Sequence, residues 1–315
     1  MVSLKGRSLL TLFDYSEEEI RFLLELAKKV KAEKKAGLAR QRFAGKTLAM
    51  IFEKRSTRTR CAFETAFGEE GGHPVFLSTQ DIQLGAKESI EDTARILGRM
   101  FDAIQFRGFK QAVVEKLAEY SKVPVYNGLT DDFHPTQALA DIMTLEENFG
   151  PSRGKKLCFT GDGRNNVARS LMVICAKLGV NFTVITPPSL GPDPQFLERC
   201  RAAAAGGEIT ITPDTAAVRG ADAVYTDVWA SMGEEDKKEE RARLLGPYQV
   251  NQALMDGTGR KDSIFLHCLP AVKGEEVTAA VIDGPQSRAW DEGENRKHTI
   301  KALMLATLGL SDTVS

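Results

Sequence analysis

Short apolar runs alternate along the chain with segments whose apolar residues recur every three or four positions. TLAMIF (47–52), HPVFLS (73–78), DAIQFRG (102–108) and VPVYNGL (123–129) have the length and side-chain types of strands, and SIEDTARILGRM and KQAVVEKLAEYS lie between them with helical spacing. A second series follows: KKLCFTG (155–161), NFTVITP (181–187), EITITPD (208–214), DAVYTDVW (222–229) and SIFLHCLPA (263–271). Strands that alternate with helices predict βαβ units, hence an α/β protein of two doubly wound domains, each with a mainly parallel sheet flanked by helices. Between the two series, PTQALADIMTLEENFG sets Ala138, Ile142, Leu145 and Phe149 on one stripe of a helix. That helix is expected to stop at Gly150-Pro151, a plausible hinge, giving domains over 1–150 and 151–293.

Length agrees with two domains, since 315 residues exceed the roughly 250–300 at which single cores stop growing. A content of 42% hydrophobic and 27% charged residues is that of an ordinary soluble globular protein. The balance of 42 basic against 43 acidic residues gives no general field for nucleic acid or a membrane surface, so any anion site must be local. Five scattered cysteines without a CxxC pair suit a reducing compartment. The N-terminal segment has too short an apolar run for a signal peptide, and no stretch approaches a membrane span, so the cytoplasm is the expected location. No internal repeat is apparent, and Ala202 to Ala205 fit a helix end.

Polar groups cluster where strands should end. In α/β sheets this is where ligands collect, because the following helix presents unpaired N–H groups and partial positive charge. Ser56 and Thr57 fall at such a junction, able to cap the helix or to donate to an anion. Arg58 and Arg60 stand two apart and must point in different directions; Arg58 is assigned to the anion and Arg60 to bracing, against the plainer reading of a solvated first turn. His134 precedes Pro135, which suits the first helical position, and His134 and Gln137 are either donors near the strand ends or an ordinary helix start. Arg107 closes a strand and, alone, would read as a surface residue. GDGRNN (161–166) lacks the third glycine of a dinucleotide loop and carries bulky Arg164, which argues against a nicotinamide site. His267 beside Cys268 has no further ligand at a usable zinc spacing. EEDKKEER (234–241) reads as a solvated helical face.

Taken in order, STRTR (56–60), FRG (106–108), HPTQALAD (134–141), DVWASMG (227–233), HCLPA (267–271) and ENRKHTIKA (294–302) resemble the aspartate/ornithine carbamoyltransferase family over nearly the whole chain. SMG with HCLP resembles its ornithine branch; the aspartate branch carries proline where Cys268 stands. The resemblance implies carbamoyl phosphate held by Ser56, Thr57, Arg58, Thr59 and Arg107, with His134 and Gln137 on the carbamoyl group. It adds Leu269 and also Arg296, which would bring a C-terminal helix, about 294–315, back onto the first domain. Ornithine is implied at Asn166 (favoured over Asn165), Asp227, Ser231, Met232 and Cys268. Arg107, His134 and Cys268 are the implied catalytic residues, and no cofactor or metal is needed. Gln83, in the loop 81–89, is implied to reach a neighbouring subunit's site, hence a homotrimer with shared sites and no nucleic-acid or membrane partner. The implied sequence is carbamoyl phosphate first, ornithine second, domain closure, then attack of the δ-amine to give citrulline and phosphate in arginine metabolism. A δ-ammonium resembling that of lysine, with a pKa near 10.4, makes the free amine scarce by about three units near neutrality, so the site must favour it. Rival readings are a carbamoyltransferase acting on putrescine or acetylornithine, and a non-catalytic two-lobed protein that binds an anion or amino acid.

Overall fold

The computed structural model describes residues 2–78, 82, 87–230 and 237–314. The chain divides into two compact units, Met1–Ala140 with Glu294–Ser315, and Asp141–Gly293. The first division between these contact-defined units falls inside a helix.

The first unit runs α1 (Glu17–Lys35), β1 (Thr47–Phe52), α2 (Thr57–Gly68), β2 (His73–Ser78), α3 (Ile90–Met100), β3 (Ala103–Arg107), α4 (Gln111–Ser121), β4 (Val125–Leu129) and the start of α5 (Pro135–Phe149). Its sheet is parallel throughout, in the order β2-β1-β3-β4. β3 is buried along its whole length and β1 along all but its first residue, as strands covered on both faces must be. Ala49, Ile51, Ile104 and Phe106 pack with Leu97 of α3 and with Val114 and Leu117 of α4.

The second unit runs β5 (Lys156–Thr160), α6 (Asn166–Leu178), β6 (Asn181–Ile185), α7 (Pro194–Ala202), β7 (Ile209–Thr212), β8 (Ala223–Tyr225), α8 (Lys238–Leu245), α9 (Gln252–Gly257), β9 (Ile264–Leu266), α10 (Ala279–Ile282) and the start of α11 (Ala289–Thr307). Its parallel sheet has the order β7-β6-β5-β8-β9. In each sheet the chain winds outward one way, returns to the middle and winds out the other way. The reversal lies between β1 and β3 in one sheet and between β5 and β8 in the other, and crevices form at the carboxyl ends of such strands.

Two helices differ from the amphipathic pattern. α5 is buried all round from Pro135 to Glu146, not along one stripe, and α11 is buried throughout Thr299–Thr307. Polar residues there are tolerated because they find partners: Glu146 accepts from the Ser152 hydroxyl at 2.7 Å, and Lys301 pairs with Glu69 and Glu70, each at 3.3 Å. Arg241, placed on a solvated face by its charge run, is likewise buried and pairs with Asp162 at 2.9 Å. Its neighbours Lys238 to Glu240 are exposed.

Candidate active site

In the first unit, three neighbouring strands deliver the polar groups. Phe52 at the end of β1 pairs in register with Arg107 at the end of β3, and β4 on the other side of β3 leads through a short loop to His134. Ser56 caps α2, accepting from Thr59 N–H at 3.1 Å. Thr57 opens the helix on its exposed side. The Thr59 hydroxyl is fully buried and accepts from two guanidinium groups, Arg107 Nη1 at 3.3 Å and Arg296 Nη2 at 3.1 Å. Arg296 Nη1 also donates to Gln137 Oε1 at 2.9 Å. One residue of α11 thus ties α2 to α5 within this unit.

His134 lies among these cations. Burial first, then the charges of Arg296, Arg107 and Arg58, hold its imidazole well below its usual range. It is a neutral ring at physiological pH, able to donate one hydrogen bond without adding charge. Arg60 turns elsewhere: its guanidinium stacks 3.9 Å from the Phe76 ring centroid and donates to Glu64 at 3.1 Å. Three arginines around a neutral histidine at a strand switch point form a socket for a small polyanion with a hydrogen-bond acceptor beside it.

The second unit repeats the logic with the opposite charge. Asn165 follows β5, Asp227 follows β8 and Cys268 follows β9, strands adjacent in the sheet. Asn165 caps α6 through Val167 N–H and donates from Nδ2 to Asp227 Oδ2 at 2.9 Å. Asn166 is the first residue of α6 and half-buried. The other oxygen of Asp227 accepts from Val228 N–H at 2.8 Å and from the Cys268 thiol at 3.1 Å. Burial, then the Asp227 carboxylate, pushes the Cys268 thiol well above its usual range, so it is a hydrogen-bond donor and a poor nucleophile.

Leu269 sits at φ 58, in the left-handed region that a leucine rarely adopts. Its N–H donates to His267 Nδ1 at 2.8 Å. His267 Nε2 then carries the ring proton and donates to Glu276 Oε1 at 3.2 Å. Asp227, His267 and Cys268 bring an oxygen, a nitrogen and a sulfur within 4.8 Å of one another, yet both ring nitrogens and the thiol already have protein partners. Hydrogen bonds from these residues shape the loop.

Sequence reasoning missed Glu276, which is fully buried and also accepts from Val272 N–H at 2.6 Å, and missed the buried group Tyr225, Asp141 and Glu292. No spacing signalled them, because acids ordinarily face water and a strand tyrosine reads as plain core. Gln83, Ser231 and Met232 lie outside the described residues. Among the described residues, no helix is long and apolar enough to cross a membrane.

Residues 7–147 match the family model described as the carbamoyl-P binding domain of aspartate/ornithine carbamoyltransferase, and residues 153–307 match the model of its Asp/Orn binding domain. The chain belongs to the aspartate/ornithine carbamoyltransferase family. Among its relatives, the ornithine carbamoyltransferase of Caldanaerobacter subterraneus is 67% identical over 310 residues, covering 97% of this chain and 99% of that one. A catabolic ornithine carbamoyltransferase of Bacillus licheniformis is 53% identical over 328 residues, covering 98% of each chain. The solved ornithine carbamoyltransferase of Pyrococcus furiosus matches with a TM-score of 0.95 at 49% identity, over 98% of this chain and 99% of that chain.

Proposed function

We propose that the chain is a carbamoyltransferase that moves the carbamoyl group of carbamoyl phosphate to the δ-amine of L-ornithine, giving L-citrulline and phosphate. The observation that carries the reading is the group of Arg58, Arg107 and Arg296 around neutral His134. Arg58 and Arg107, with Ser56, Thr57 and Thr59, take the phosphate. Arg107, His134 and Gln137 take the carbonyl oxygen, where negative charge grows as the amine adds; Arg296 and Leu269 complete the carbamoyl phosphate set, and Gln83 belongs to it through a neighbouring subunit. The amine nitrogen bonds to the carbonyl carbon, the carbon–oxygen bond to phosphate breaks, and phosphate leaves with the electron pair and takes up the proton that the nitrogen gives up.

Asn166, Asp227, Ser231, Met232 and Cys268 receive the acceptor, with Asp227 on its α-ammonium. A thiol kept protonated places no second negative charge beside the δ-nitrogen, which would otherwise favour the unreactive ammonium form. The same state argues against a covalent cysteine intermediate. Replacing Cys268 by Ala is therefore expected to lower turnover roughly tenfold and to shift the alkaline limb of the pH profile without abolishing activity. A thiocarbamoyl adduct trapped on the wild-type protein would defeat that role.

A homotrimer in the cytoplasm, acting in arginine metabolism, completes the proposal; relatives include a catabolic enzyme. The deciding experiment measures phosphate release from carbamoyl phosphate with ornithine, putrescine, acetylornithine and aspartate in parallel. Release that depends on ornithine alone supports the reading. Binding without release would return the two-lobed binding protein.

A further inference from the structure

Behind the Cys268 and Asp227 pair, inside the second unit, lie two carboxyl groups that the proposed chemistry does not use. Asp141 of α5, Glu292 of α11 and Tyr225 of β8 are all fully buried. The Tyr225 hydroxyl lies 3.1 Å from Glu292 Oε1 and 3.4 Å from Asp141 Oδ1. The remaining oxygen, Glu292 Oε2, accepts from His267 N–H at 3.0 Å, and both buried carboxyl groups converge on the one Tyr225 hydroxyl, which has a single proton to donate. Two fully buried carboxyl groups that share one donor repel if both are ionised, so one of the pair keeps its proton.

We propose that Asp141 and Glu292 hold a single proton between them and together act as a positioning pair, fixing the His267–Cys268 turn and so the amine end of the acceptor site. The inference deepens the function proposed above and rests on it for its kinetic part. His267 N–H is the link: it is anchored by Glu292 while the ring of the same residue anchors Leu269 N–H, so Cys268 is held from both sides. The titratable groups facing the pair are Tyr225, Cys268 and Asp227 at the strand ends, and Cys175 of α6. Burial, followed by the Asp141 charge, raises the Glu292 carboxyl well above its usual range, in keeping with a retained proton.

Glutamine imitates the protonated carboxyl: its amide oxygen can face His267 N–H while its NH₂ donates to Asp141. Alanine leaves the His267 N–H and Tyr225 hydroxyl without that acceptor. The expected result is a loss of roughly thirtyfold in kcat/KM for ornithine in Glu292→Ala, against less than about threefold in Glu292→Gln. Affinity for carbamoyl phosphate alone, measured by calorimetry, should be the same in both.

A second measurement stands even if the alanine variant folds poorly. A carboxyl with a raised folded-state pKa contributes stability that is complete below its unfolded value, near 4.3, and is lost as pH rises toward the folded value. Glutamine has no such loss, so Tm of Glu292→Gln minus Tm of wild type should increase steadily from about pH 5 to pH 9. A flat difference over that range, or a glutamine variant as impaired as alanine, overturns the inference. Absence of ornithine-dependent phosphate release by wild type would instead defeat the functional reading and leave the Tm series to decide the shared proton.

Discussion

Arg107→Ala is expected to lower turnover by about three orders of magnitude or more while leaving the fold intact, a loss in line with removing a preorganised donor to developing charge. The guanidinium is buried on the last residue of β3, donates to Thr59 and lies close enough to depress the His134 pKa. Alanine removes the cation proposed to serve both the phosphate and the carbonyl oxygen, and lysine would restore charge without the planar fork. Steady-state phosphate release with circular dichroism as a control for folding checks the result. An Arg107→Ala protein that turned over normally would show that the polyanion binds elsewhere.

Asp227→Ala is expected to cut kcat/KM for ornithine by roughly two to three orders of magnitude, because a buried charge partner is lost together with the geometry it holds. Three groups converge on this carboxylate: the Asn165 amide, Val228 N–H and the Cys268 thiol. Removing it frees the thiol to rotate and takes away the counter-charge for an α-ammonium. Binding of carbamoyl phosphate, measured without acceptor, should be little affected, since all of its proposed ligands except Leu269 lie in the other unit. A parallel loss of carbamoyl phosphate affinity would contradict the division of labour between Asp227 and the arginines.

The strands were legible in the chain because nearly continuous apolar runs of five or six residues admit few other readings, and β1 and β2 span the same residues as the runs that predicted them. The later strands are shorter than their runs: DAVYTDVW supplies only Ala223–Tyr225, since Thr226 and Asp227 leave the ladder to form the site. Strand order was not legible. Nothing in the residues themselves says that β3 inserts beside β1, and that insertion is what sets Arg107 next to the start of α2.

Local chemistry at helix starts was easier to read than chemistry inside helices. Ser56 is a cap in the sequence and in the structure. Of the adjacent Asn165 and Asn166, the structure holds Asn165 against Asp227, a distinction of side-chain direction that a dipeptide does not encode. Asp141 and Glu292 were invisible for a different reason: an acid within a helix ordinarily faces water, and here both are buried against Tyr225 of β8.

Arg296 has a consequence for the order in which the protein is made. The strands β1 to β4 can leave the ribosome and pair while most of the second unit is still untranslated, and domains commonly fold in that N-to-C order. At that stage Thr59 and Gln137 lack the guanidinium they share. A nascent first half therefore lacks the guanidinium that joins α2 to α5, and on the proposed assignment its carbamoyl phosphate socket is completed only when α11 has been synthesised and has returned to its place.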